Sequence, residues 1–165
     1  MLKNQDILVL AALIGNKSER LSFARIADKA KLSVSESFAA VNRLMESSLI
    51  NSERRIIRTR ALEFLTHSLR YSCPASYGNG TATGMPAAYA APVAAEDFAV
   101  SGEIPVWPGD DGNISGRPLA PIYPSAPKAA AADRRVYDNL AIFDMLRGGR
   151  LRERAFAVAK LMEAL

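Results

Sequence analysis

The chain has 165 residues, 49% of them hydrophobic, with 21 Lys/Arg against 17 Asp/Glu for a net charge of +4. That is the size of one ordinary domain with a modest core, and no apolar run reaches the roughly 18 to 20 residues that cross a bilayer. With no secretory leader at its start, the chain is expected in the cytoplasm with no membrane partner. One cysteine, Cys73, and one histidine, His67, exclude an internal disulfide and are too few for an ordinary zinc site, so no cofactor or metal is expected.

Charge is unevenly spread. Residues 1–72 hold twelve Lys/Arg against seven Asp/Glu, residues 73–127 one against five, and residues 128–165 eight against five. Two basic, helix-patterned ends flank an acidic middle, which is the distribution of a chain whose ends meet a polyanion.

A first helix is predicted from Asn4 to Ile14, where Ile7, Leu8, Leu10, Ala11 and Ile14 repeat at helical spacing before Gly15-Asn16. A second, about two turns long, begins after its cap Ser22 and carries Phe23, Ile26, Ala27 and Ala30 on its apolar stripe. Lys31-Leu32-Ser33 makes a tight connection. A third helix then runs from Val34 to about Ser47, capped by Ser33, with Val34, Phe38, Val41, Leu44 and Met45 as its expected core face. Residues 49–57 read as two short strands around a charged turn, and helical period returns from Arg58 to Ser72, with Leu62, Leu65 and Leu69 inward, until Pro74 stops it.

All nine prolines fall within 73–127, which rules out regular helices there. Tyr77, Tyr89, Trp107 and Tyr123 supply more aromatic surface than a free tether has, so an extended strap over the helices is expected, with disorder over 76–83 as the competing reading. Helices resume over 128–146 and 150–165. In the last, Leu151, Ala155, Val158, Met162 and Leu165 recur at 4-3-4-3 spacing, a seam for another helix of this chain or of a second subunit.

The stretch from Leu21 to Ile50 carries a small polar cap (Ser22), Ile26-Ala27, a hydrophobic turn residue (Leu32), Ser33, Val41-x-x-Leu44 and a closing Leu49-Ile50. In this it resembles the helix-turn-helix of winged-helix regulators such as the MarR family; Ser48 stands where that family commonly has glycine. The resemblance covers about 70 residues and implies a winged helix-turn-helix fold, binding to double-stranded DNA and commonly a homodimer. The expected fold is therefore mainly α: a winged helix-turn-helix with a small β-hairpin wing at 1–72, a Pro-rich irregular strap at 73–127 and a C-terminal helical dimerisation or docking segment at 128–165.

With the third helix phased as above, Ser35, Glu36, Ala39, Asn42 and Arg43 face away from the core. Asn and Arg make bidentate contacts to adenine and guanine edges, Glu accepts from cytosine, and Ala meets a thymine methyl. Ser33 and Ser35, at the helix N-terminus, suit a phosphate. Arg54 and Arg55 at the hairpin tip, with Arg58 and Arg60 behind them, suit the DNA backbone or minor groove, while Glu53 or Glu63 are competing partners for Arg58 and Arg60. No nucleophile and base, and no paired carboxylates, emerge, so no enzyme is expected. The rival expectation is a module docking a partner protein, which would carry an apolar or acidic face on the third helix. A regulator sensing a small molecule in a pocket between residues 1–72 and the strap is a third.

Overall fold

The computed structural model describes residues 1–16, 20–99 and 102–165. The protein is mainly α-helical with a small mixed sheet of three strands. Helices α1 (Asn4–Leu13), α2 (Phe23–Ala30) and α3 (Val34–Glu46) come first. After a hairpin turn the chain enters α4 (Arg58–Glu63), a π-helical turn (Phe64–Ser68) and α5 (Leu69–Ser72). Strands β1 (Ala82–Pro86), β2 (Pro105–Pro108) and β3 (Ile114–Pro118) follow, then α6 (Ala126–Ala132), α7 (Arg134–Gly148) and α8 (Leu151–Ala164). Among the described residues, no helix is long and apolar enough to cross a membrane.

Two helices are buried on every side. Every residue of α1 from Asp6 to Leu13 is buried, and so is nearly all of α7 from Val136 to Arg147. They pack on each other, and the Asn139 side-chain amide of α7 donates to the carbonyl of Ala11 at 2.9 Å, satisfying an acceptor that the end of α1 leaves open. One continuous apolar core gathers residues from 1–72, 73–127 and 128–165 alike, including Leu10, Trp107 and Phe143.

Local capping explains where the helices start. The Ser22 hydroxyl accepts from the Arg25 amide at 3.2 Å, and the Ser33 hydroxyl accepts from the Glu36 amide at 3.1 Å. Lys31 takes a left-handed backbone (φ 52°), which lets the amide of Leu32 return to the carbonyl of Ala27 and turns the chain sharply from α2 into α3. The hairpin expected over 49–57 forms, but as a single antiparallel bridge, Ile50 to Ile56, instead of two strands. Its turn is held by the Asn51 side-chain carbonyl, which accepts from the amides of Glu53 and Arg55 at 3.0 Å each.

The proline-rich middle departs from the expected irregular strap. β1 runs antiparallel to both β2 and β3, which also pair with each other in parallel over Pro105–Val106. Glycine makes this closure feasible: a Cβ on Gly84 would lie 1.8 Å from the Trp107 carbonyl oxygen, and one on Gly116 2.2 Å from that of Ile104. The expectation of a strap lying on helices is met through side chains. Trp107 Nε1 donates to the buried Asp144 of α7 at 2.7 Å, Arg147 Nε donates to the same carboxylate at 2.8 Å, and the Arg147 guanidinium also reaches the carbonyls of Pro74 and Ala120. Tyr137 donates to the Pro86 carbonyl at 2.7 Å, and burial pushes its phenol up to about 12.

At the C-terminus, the expected helix over 128–146 is two helices broken at Asp133, whose carboxylate caps α7 by accepting from the Arg135 amide at 2.9 Å. The face of α8 that packs is not the expected seam: Ala157 and Leu161 are buried against the chain's own core, whereas of the seam residues Leu151, Ala155 and Met162 are exposed and Val158 and Leu165 only half-buried.

Candidate functional site

The site begins with the phase of α3. Its buried residues are Ser37, Ala40, Val41 and Leu44: Val41 and Leu44 face inward as expected and Met45 packs half-buried against the core, but Ser37 and Ala40 take the place expected for Val34 and Phe38. Val34 and Phe38 point out, 53% and 50% exposed. The correction has a steric cause: α3 lies against both α1 and α2, and the small side chains of Ser37 and Ala40 permit that approach where the Phe38 ring would not. The outward surface of α3 is therefore mixed. It carries Val34, Ser35 and Phe38 in the open, and Ala39 and Asn42 partly so.

Two residues expected to read bases are engaged elsewhere. Arg43 turns toward α1, where its guanidinium grips the fully buried Asp6 carboxylate through Nη2 at 2.6 Å and Nε at 2.8 Å, and it also donates to Gln5. That bidentate pair holds the Arg43 guanidinium above its ordinary value and ties α3 to α1. Glu36 is held by Ser33: its carboxylate accepts from the Ser33 hydroxyl at 2.7 Å and the Ser33 amide at 2.9 Å, which keeps it below the usual carboxylate range. Ser33 and Glu36 thus close a reciprocal cap. The cap places a carboxylate where a phosphate was expected, so like charge weakens the reading of Ser33 as an anion contact.

The hairpin cations divide differently. Arg55 forms an ion pair with Glu53 at 3.4 Å, and Arg58 donates to the carbonyl of Met162 on α8 at 2.8 Å, so neither Glu53 nor Glu63 takes Arg58. Arg54 has no carboxylate partner among the described residues. Its guanidinium carbon sits 4.5 Å from the centre of the Phe23 ring, and Phe23 in turn packs edge-on against Phe38 at 5.1 Å. Partial burial, with Arg20 nearby, presses the Arg54 guanidinium toward its neutral form, and its Nε makes no hydrogen bond.

No family model, curated protein or solved structure matches this chain. The site is therefore read from its own geometry. What that geometry assembles is an outer face of α3 carrying Ser35, Ala39 and Asn42, joined through Phe38 and Phe23 to Arg54 of the hairpin, which has no carboxylate partner among the described residues. Of the nine candidate residues, Arg43 and Glu36 are consumed by internal contacts, Ser33 caps its helix, Arg55 and Arg58 are partnered, and Ser35, Ala39, Asn42 and Arg54 remain. The apolar character of Val34 and Phe38 reads as core; the signal that could have placed them outside is the smaller, better-fitting Ser37-Ala40 pair on the adjacent face of the helix, while Phe23 packs half-buried against the core as its stripe predicts.

A separate cavity of about 560 Å³ lies among Tyr77, Tyr89, Phe98, Arg117, Arg150 and Glu153. No residue of 1–72 lines it, so it is not a pocket between that segment and the strap, where the third reading would put an effector. Among the described residues, no group of three His, Cys, Asp or Glu side chains is placed to hold a metal ion.

Proposed function

We propose that this protein is a winged-helix regulator of transcription that binds double-stranded DNA. In this reading α2 and α3 are the helix-turn-helix, α3 is the helix that enters the major groove, and the hairpin over 49–57 is the wing. The observation that carries it is the Arg54 guanidinium, unneutralised by any carboxylate of the described residues and joined through the Phe23 and Phe38 rings to the outer face of α3, which also presents Ser35, Ala39 and Asn42. A cation without an anion among the described residues is suited to a phosphate of the DNA backbone, and Asn42 on the outer face of α3 suits an adenine edge. The protein acts by binding, without catalysis, in the cytoplasm.

A homodimer on a pseudo-palindromic site is part of the same proposal. It is supported by the exposed Leu151, Ala155 and Met162 on α8, an apolar row that the chain's own core leaves uncovered. The direct test is selection from a random-sequence duplex library at two salt concentrations. Enrichment of an inverted repeat supports a dimeric, sequence-specific regulator; weak binding without enrichment, lost as salt rises, counts against it.

A second reading is favoured by one observation: Val34 and Phe38, expected inside, lie on the outer face of α3. An apolar face at that place is what a protein-docking module would present.

A further inference from the structure

The apolar residues on α3 and the unpaired cation beside them form one continuous surface. Phe38 and Val34 stand one helical turn apart, both about half exposed. Phe38 meets Phe23 edge-on at 5.1 Å, and the Arg54 guanidinium covers the other ring at 4.5 Å. Arg20 is close enough to Arg54 for the two positive charges to repel, and it is exposed. The patch is thus bordered by two cations with no acidic partner among the described residues, next to the polar Ser35 and Asn42.

This composition decides between occupants. A protein seated on Val34 and Phe38 would bury the Arg54 charge unless it brought its own carboxylate. DNA brings its phosphates already spaced along the groove, and inside that groove it offers one apolar group, the 5-methyl of thymine. Resting on the reading of α3 as the helix that enters the groove, we infer that Val34 and Phe38 are specificity residues that bury thymine methyl groups, while Arg54 holds the adjacent backbone phosphate. Phe23 is a positioning residue: it touches no DNA and keeps the Phe38 ring and the Arg54 guanidinium in register.

The test uses the intact protein and two pools of short random-sequence duplexes, one made with thymidine and one with deoxyuridine in its place. After selection on each pool, affinities are compared at two salt concentrations. Burying one methyl is worth about fourfold in affinity, so the thymidine pool should bind about fourfold tighter for each methyl engaged, with thymine enriched at fixed positions. Phe38→Ala should bring the two pools together while leaving the salt dependence intact, and Arg54→Gln should weaken both pools equally and lower the salt slope by about one ion. Thermal melting of each variant checks that it folds, and the wild-type comparison stands without either variant. Equal, salt-dependent binding of both pools by the wild type overturns the methyl contact and leaves the DNA reading intact. Failure to bind either pool overturns both.

Discussion

Arg43 and Arg54 sit on neighbouring elements and live opposite lives. Arg43 has its anion inside the molecule, the buried Asp6, and spends its donors joining α3 to α1. Arg54 has an aromatic ring beneath it, another arginine nearby and no carboxylate partner among the described residues. Arg147 belongs with Arg43: nearly fully buried, it is neutralised by Asp144 and fixes the proline-rich middle to α7. The lesson is that arginine content alone does not mark a binding surface; the cations that matter to a partner are those the fold has left without an anion.

The contrast can be broken most forcefully from the buried side. Asp144→Ala should cost about 3–5 kcal/mol in denaturant unfolding, because it strands a buried guanidinium and the Trp107 indole N–H together. Arg43→Ala, which leaves Asp6 buried and unpaired, should cost about 3 kcal/mol, and any loss of DNA affinity should track the loss of folded protein. Arg54→Ala with Arg55→Ala should change stability by less than about 1 kcal/mol yet lower affinity for every duplex sequence and flatten the salt dependence, read by binding titrations over a salt series. An unchanged slope would take the hairpin out of the contact surface.

Two smaller effects sharpen the comparison. Lys29 and Asp133 are an intermediate case, an ion pair about one quarter exposed on each side. Burial alone would raise the Asp133 carboxyl, but Lys29 and the amides of Arg135 and Val136 outweigh it and hold it below its ordinary value. A depressed carboxyl contributes stability above its ordinary pKa and loses that contribution as pH falls through the depressed one. Asp133→Asn keeps a helix-capping side chain and removes the charge, so it should flatten the acid limb of the stability profile by about 1 kcal/mol or less. Ser48 holds a left-handed backbone (φ 54°), where glycine is unstrained; Ser48→Gly should raise stability by about 0.5–1 kcal/mol without touching the charge pattern.

What the sequence made legible was local. The caps at Ser22 and Ser33, the tight turn at Lys31 and the stop at Pro74 are written within a few residues of where they act. The phase of α3 was not, because Phe38 satisfies a hydrophobic pattern as well as Ala40 does and only the proximity of α1 and α2 chooses between them. The sheet was hidden for another reason: its pairings join residues 12 to 34 apart, in segments whose prolines argue against strands, and Gly84 and Gly116 were the one local hint of backbones in close approach. Asp133 breaks an alanine-rich run without glycine or proline, so the sequence alone reads straight through it. At the candidate site, residue types were legible and their partners were not: Asp6, 37 residues from Arg43, decides what that arginine does.

Asp6 also closes the first turn of its own helix, where one carboxylate oxygen accepts from the Lys3 amide at 2.8 Å while the pair together holds Arg43. A single side chain thereby links the start of α1 to the last turn of α3. Fraying of the first turn of α1 releases its grip on α3, so the two stretches open as one cooperative unit, and their amides should exchange with solvent at a common rate despite lying far apart in the chain.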